Sequence, residues 1–387
     1  MNDLLDRELR RELDDLRLSG RYRNFKIIQS ASLPEAIIQG KRYKVFCSNN
    51  YLGLANHPRL KQAACEAAER LGSGSGASRL VCGNMSAHVE LEEELARFKQ
   101  AEAAIIFPTG YMANLGAISA LAGPKDTVII DRLCHASIID GCRLSRAKLQ
   151  VYEHLDMDSL EHVLSRSGKY RRRLVITDSI FSMDGDIAPL PQIIELCRRY
   201  QAVSMVDEAH ATGVFGEHGR GTLEHLGVEG QMDVVMGTLS KAVGSLGGFV
   251  VGSQVLIDYL RQNCRSFIYT TALPPGVCAA STAGLKIIQD EPQRRQRLWE
   301  NVEYLRRGLL ELGFNLMGSQ SQIIPVLLGD EARTIQVSEK LFRQGILIPG
   351  IRPPTVPKGE SRLRITLMSD HSREDLDCLL EALRICG

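Results

Sequence analysis

The chain has 387 residues, 44% of them hydrophobic and 24% charged, a composition that excludes disorder as its main character and leaves room for a catalytic unit plus a smaller one. Its 47 Lys and Arg against 46 Asp and Glu leave a net charge of +1, so no overall field draws it to nucleic acid or an anionic membrane, and an anionic partner must meet a local site. There is no run of apolar residues long enough to span a bilayer, and the 10 cysteines show neither a C-x-x-C pair nor metal-type spacing, which predicts a cytoplasmic, unexported protein with reduced thiols and no metal.

In chain order, the segment up to Arg23 sets Leu4, Leu5, Leu9, Leu13, Leu16 and Leu18 among charges, the pattern of an amphipathic helix expected to dock on a core. From residue 100 onward, short apolar runs each end in polar residues: AAIIFPTG, TVIIDRLCH, KLQVYEH, RLVITDSIFS, AVSMVDEAH, DVVMGTLSK and GGFVVGS. They read as seven buried strands. Helical segments between them, such as QIIELCRRY after Pro191, argue for an α/β fold with a mostly parallel sheet covered on both faces. Such sheets place ligands at the carboxyl ends of their strands.

After Pro274-Pro275 the pattern changes to a helix around Trp299–Leu312, a strand at Ile323–Leu328, a helix near Ile335–Arg343, a strand at Arg362–Leu367 and a final helix opened by Ser372 and Asp375 as a capping box. We therefore expect an N-terminal helical segment over 1–45, a large unit over 46–280 and a smaller α+β unit over 281–387. The IRPPTVPKG stretch at 351–359 reads as a stiff functional loop.

Several motifs need weighing. Asp207-Glu208-Ala209-His210 spells a helicase-type motif, yet neither Gly40-Lys41 nor Gly168-Lys169 has the upstream glycine and following Ser or Thr of a phosphate-cradling loop, which excludes a nucleotide-driven motor. The Gly72–Gly76 run (GSGSG) follows a helix-like stretch instead of a strand, and reads as a tight turn. The basic run Lys169–Arg173 reads as a solvated face, its other reading being a contact for the phosphates of coenzyme A or an acidic carrier. Lys241, between an apolar strand and Gly244, is poorly solvated; desolvation lowers a lysine pKa, and a partly neutral amine can form a Schiff base. Gly110-Tyr111, His135, Ser182, Asp207–His210 and Thr238–Lys241 all fall just past expected strand ends.

SNNYLGL at 48–54, GSGSGASRLVCGNMSAHVELE at 72–92, FPTGYMANLG at 107–116, DRLCHAS at 131–137, FSMDGD at 181–186, VDEAHATGVFGEHGRG at 206–221 and TLSKAVGSLGG at 238–248 together resemble the pyridoxal-phosphate-dependent α-oxoamine synthases, of the fold-type-I aminotransferase class. The resemblance runs through nearly the whole chain. It implies a Schiff base between Lys241 and pyridoxal 5'-phosphate, with Asp207 as partner of the pyridine nitrogen, His135 stacked on the ring, and His210 and Ser182 at its phenolic oxygen. It places the phosphate on the N–H groups of Gly110-Tyr111 and the Thr238 hydroxyl, with Thr270 and Thr271 reaching the neighbouring subunit's phosphate, hence a homodimer with shared active sites. Arg364 matches the clamp on an amino-acid carboxylate, Asn49 lies near cofactor and substrate, and Arg23, Arg352 and Thr355 match residues around the acyl substrate. IRPPTVPKGESRLRITLMSDH at 351–371 most resembles the members that join L-alanine to a pimeloyl thioester, carried on coenzyme A or acyl carrier protein, in biotin synthesis. Sister reactions, glycine with a short acyl-CoA or serine with a long acyl group, use the same residues, and a fold-type-I transaminase is the more distant alternative.

Overall fold

The computed structural model describes residues 3–386, so the first two residues of the N-terminal segment lie outside it. Strands β1 (Glu35–Ile38) and β2 (Lys41–Val45) form a hairpin through Gln39 and Gly40, whose φ values of 50° and 75° suit the right-handed twist of the pair. The expected helical character of 1–45 therefore stops early: the helix Asp3–Leu18 is followed by irregular chain and then this hairpin.

All seven runs expected to be strands are strands: β3 (Ala103–Phe107), β4 (Thr127–Asp131), β5 (Lys148–Tyr152), β6 (Arg173–Asp178), β7 (Val203–Asp207), β8 (Val234–Thr238) and β9 (Gly248–Gly252). They form one sheet in the order β3-β9-β8-β7-β6-β4-β5, with only β9 antiparallel to its neighbours. Strand periodicity divides their side chains between two cores. Ala104, Ile106, Ile129, Val175, Val206 and Val235 face one layer, whereas Ile105, Phe107, Val128, Ile130, Ile176, Met205 and Met236 face the other. The second layer is filled by helices Gly110–Leu121, Ala136–Ser145 and Gln254–Asn263, through Ala117, Ile138 and Ile257 among others. With both faces covered, the interior strands read as unbroken apolar runs in the sequence.

The C-terminal strands β10 (Ile323–Gly329), β11 (Ile346–Leu347), β12 (Gly350–Ile351) and β13 (Ser361–Thr366) form a β10-β13-β12 antiparallel sheet, while β11 joins β2 in parallel. The capping box of the last helix, Arg373–Cys386, is present in both directions: Ser372 N–H donates to Asp375 Oδ2 at 3.0 Å and Asp375 N–H to Ser372 Oγ at 3.2 Å.

Within the single chain the N-terminal helix buries none of its residues, contrary to the expected docking on a core. Its leucines stay exposed, Leu18 at 87%. The basic run is more than a solvated face: Arg171 holds Asp126 bidentately at 2.9 and 2.7 Å, and Arg172 donates to the Leu121 carbonyl. Among the described residues no helix is long and apolar enough to cross a membrane.

Candidate active site

The six co-directional strands deliver their following residues to one edge of the sheet. After β3, Thr109 caps the helix Gly110–Leu121 by accepting from Met112 N–H at 3.2 Å. Gly110 and Tyr111 carry the first N–H groups of that helix, which have no acceptor within it and, with the helix dipole behind them, suit an anion. The turn is tight, since a Cβ on Gly248 at the start of β9 would lie 2.6 Å from Gly110 Cα. Thr238 sits beside it, its hydroxyl donating to the Gly247 carbonyl at 2.8 Å.

After β4, His135 caps the next helix: its Nδ1 meets Ser137 Oγ at 2.7 Å and its N–H donates to Asp178 Oδ2 at 2.8 Å. The His135 side chain is otherwise exposed. Asp178 and Asp207 are register partners at the ends of β6 and β7. Burial and then the Asp207 charge push the Asp178 carboxyl well above the usual carboxylate range. Asp207 is buried, with Oδ1 accepting from Ala209 N–H and Oδ2 from Asn114 Nδ2, each at 2.8 Å.

Three residues past β8, Lys241 Nζ lies 2.8 Å from His210 Nε2. Burial lowers the Lys241 ammonium to about 8, with Arg364 acting the same way and Asp207 opposing. Burial, followed by the charges of Lys241 and Arg364, also lowers His210 well below the ordinary histidine value. Because the lysine amine donates, Nε2 accepts; the proton of neutral His210 then sits on Nδ1 and is donated to Tyr51 Oη at 2.7 Å, while Tyr51 donates to Asn49 Oδ1 at 3.0 Å.

β13 brings in Arg364, buried, with Nε donating to the Ser182 carbonyl at 2.5 Å and both terminal nitrogens 3.5 Å from Asn49 Oδ1. Lys241, His210, Tyr51, Asn49, Arg364 and Ser182 thus form one hydrogen-bonded chain in that order, and Asp207 and His135 are joined through Asn114 and Ser137.

Other expected residues lie elsewhere in the chain. Arg352 donates to the Gly20 carbonyl, which ties the 351–359 loop to the segment carrying exposed Arg23; Thr355 is also exposed. Thr270 and exposed Thr271 follow the helix Arg265–Ile268, with Thr271 bridged to Ser78. Sequence reading missed Tyr51, Asn114, Ser137 and Asp178 as individual site residues. The first three stood inside quoted motifs, but polar residues in a motif do not disclose their partners.

The donor set fits pyridoxal phosphate: an amine with a lowered pKa, a buried carboxylate, the first N–H groups of a helix and a buried guanidinium beside them. The comparisons agree. The model of the aminotransferase class I and II family matches residues 43–383. The chain is 49% identical over 377 residues, 97% of it and 96% of the relative, to the 8-amino-7-oxononanoate synthase of Symbiobacterium thermophilum. Among solved structures, a serine palmitoyltransferase with its pyridoxal phosphate internal aldimine matches at TM-score 0.94 and 37% identity, covering 100% of this chain and 98% of that one. The 8-amino-7-oxononanoate synthase of Francisella tularensis matches at TM-score 0.78 and 29% identity, covering 89% and 97%. The chain therefore belongs to the aminotransferase class I and II family, as a pyridoxal-phosphate-dependent acyltransferase of its α-oxoamine synthase branch.

Proposed function

We propose that this chain condenses L-alanine with a pimeloyl thioester to give 8-amino-7-oxononanoate, CO2 and free thiol, the activity its curated relatives are named for and a step of biotin synthesis. The observation that carries the reading is the Lys241 amine, held 2.8 Å from His210 and titrating near 8, in one hydrogen-bonded chain with the Arg364 clamp. Pyridoxal phosphate, when bound, supplies an electron sink for the electron pair left at Cα.

The chain's own groups do the rest. Lys241 anchors the cofactor and, once displaced by alanine, takes the Cα proton; an amine titrating near neutrality both accepts and returns a proton readily. Asp207 keeps the ring nitrogen protonated, because a buried cation without a matched charge loses its proton. Gly110 and Tyr111, with Thr238, hold the phosphate, and His135, Ser182 and His210 line the ring. Arg364 grips the alanine carboxylate bidentately and fixes which Cα bond stands ready to break, an orientation worth several kcal/mol. Arg23, Arg352, Thr355 and Asn49 surround the acyl group. The electron pair at Cα forms a bond to the thioester carbonyl carbon, the C–S bond breaks and the thiol leaves with a proton; the carboxylate carbon then departs as CO2 and a proton takes its place.

The molecule acts as a homodimer. Support comes from the exposed leucines of the N-terminal helix and from exposed Leu80, Val81 and Tyr269 near Thr270 and Thr271, which would complete the partner's phosphate site. Residues 46–280 serve as the cofactor-binding unit and 281–387 as the smaller unit bearing Arg364.

Serine with a long acyl thioester is the second reading, because the serine palmitoyltransferase matches with a higher TM-score than the Francisella synthase. A matrix of L-alanine, glycine and L-serine against pimeloyl, acetyl, succinyl and palmitoyl thioesters, read by thiol release, separates the readings. Turnover confined to alanine and pimeloyl supports the assignment; turnover confined to another pair reassigns the substrate.

A further inference from the structure

Asn114 lies on the helix Gly110–Leu121 and is 1% exposed. Both hydrogens of its amide are used: Nδ2 donates to Asp207 Oδ2 at 2.8 Å and to Ser137 Oγ at 2.8 Å. A carboxylate is acceptor-only, so Asp207 dictates which end of the amide faces it. The amide oxygen on the other side has no partner among the described residues, so this orientation leaves a buried acceptor unsatisfied.

The amide also sets the direction of the next bonds. Because Nδ2 donates to Ser137 Oγ, the serine hydroxyl is free to donate its own hydrogen to His135 Nδ1, 2.7 Å away, where Ser137 N–H also arrives at 3.3 Å. His135 Nδ1 is then an acceptor twice over, and the proton of the neutral ring sits on Nε2. One buried amide thus fixes both the carboxylate and the imidazole tautomer.

We propose that Asn114 is the positioning residue of the cofactor site, holding Asp207 as a fixed anion for a protonated heteroaromatic nitrogen and locking His135 through Ser137 in its Nε2–H form. The inference rests on the reading of Asp207 as ring-nitrogen partner. Asn114→Asp is the sharpest probe, since it keeps the shape but sets carboxylate against carboxylate, so that one of the two takes a proton.

The test uses holoenzyme loaded with pyridoxal phosphate labelled with 15N in the ring, and reads the nitrogen shift against pH together with cofactor affinity, kcat and KM for alanine. Wild type is expected to keep the nitrogen protonated across the accessible range. In Asn114→Asp and Asn114→Ala the nitrogen should deprotonate at lower pH, with cofactor affinity and kcat each falling at least about tenfold, as for loss of an outer hydrogen-bond partner, and KM for alanine little changed because Arg364 is untouched. Ser137→Ala, a loss of one oxygen, should lower kcat without moving the nitrogen shift, and Ser137→Thr should restore it. Should the Asn114 variants fail to fold, the Ser137 pair still decides: an unchanged kcat in Ser137→Ala overturns the proposal. So do Asn114 variants that fold and keep wild-type shift, affinity and kcat. Asp207→Asn separates the two readings: if it is inactive while Asn114→Asp behaves as wild type, only the Asn114 role fails, and if it retains the protonated nitrogen, the Asp207 reading fails with it.

Discussion

Lys241 Nζ and His210 Nε2 meet at 2.8 Å in surroundings that favour the neutral form of each. Two bases in contact cannot both be charged cheaply, and burial decides the matter ahead of either neighbour. A reactive amine at neutral pH is the chemical consequence, and a stability that depends on pH is the structural one.

The folded Lys241 pKa of about 8 lies below the ordinary 10.5, so the unfolded chain binds more protons between those values and stability rises with pH across that window. Below pH 8 the buried charge is a full liability. Lys241→Met should stabilise the cofactor-free protein by about 2 kcal/mol at pH 7, after discounting for partial contact with water, and the gain should fade towards pH 10.5. Denaturant melts of both proteins without cofactor measure it; a Met variant no more stable at pH 7 contradicts it.

His154 behaves in the opposite sense. Burial works against its charge, but hydrogen bonds to Asp131 at 2.9 Å and Asp186 at 2.8 Å more than offset this and raise it to about 10. Its stabilisation is fully present below the ordinary 6.5 and is lost as pH rises through 10. His154→Gln should destabilise by about 3 kcal/mol at pH 6, as for a broken buried ion pair, and the difference should vanish near pH 10. Melting curves across pH check both the size and the slope. The loop held by Asp186 carries Ser182, so KM for alanine should rise too.

Arg364→Lys keeps the charge but loses the planar fork. KM for alanine should rise about 30-fold or more, the equivalent of one lost charge-assisted bond, while cofactor affinity stays within about threefold. Steady-state kinetics and cofactor titration separate the two effects; equal losses in both would place Arg364 on the cofactor instead.

A Cβ at Gly248 would press on Gly110 Cα and the Thr109 carbonyl at 2.6 Å, backbone against backbone. Gly248→Ala should push the helix start away from the sheet edge and weaken cofactor binding by about tenfold, in line with overpacking costs. Alanine KM at saturating cofactor should change little.

Much of this was legible before any coordinates. Strands such as TVIID and RLVITD announce themselves because both faces are covered; Asp207 closes one strand of this kind, and His210 and Lys241 each come three residues after one. What the sequence withholds is who meets whom. Asn114 and Asp207 are 93 residues apart, and Tyr51 and His210 159 apart, so no periodicity connects them. The N-terminal leucines mislead for a related reason: amphipathic spacing states that a face wants cover, not whether the cover belongs to the same chain. The hairpin Glu35–Val45 escaped because its strands are short and only half apolar.

The central claim is acyl transfer with loss of the amino-acid carboxyl carbon. Incubating holoenzyme with pimeloyl-CoA and L-alanine labelled with 13C at the carboxylate tests it directly. The account predicts labelled CO2, free thiol and unlabelled 8-amino-7-oxononanoate in equal amounts. Label retained in the organic product, or amino-group transfer to an oxoacid without thiol release, would contradict it.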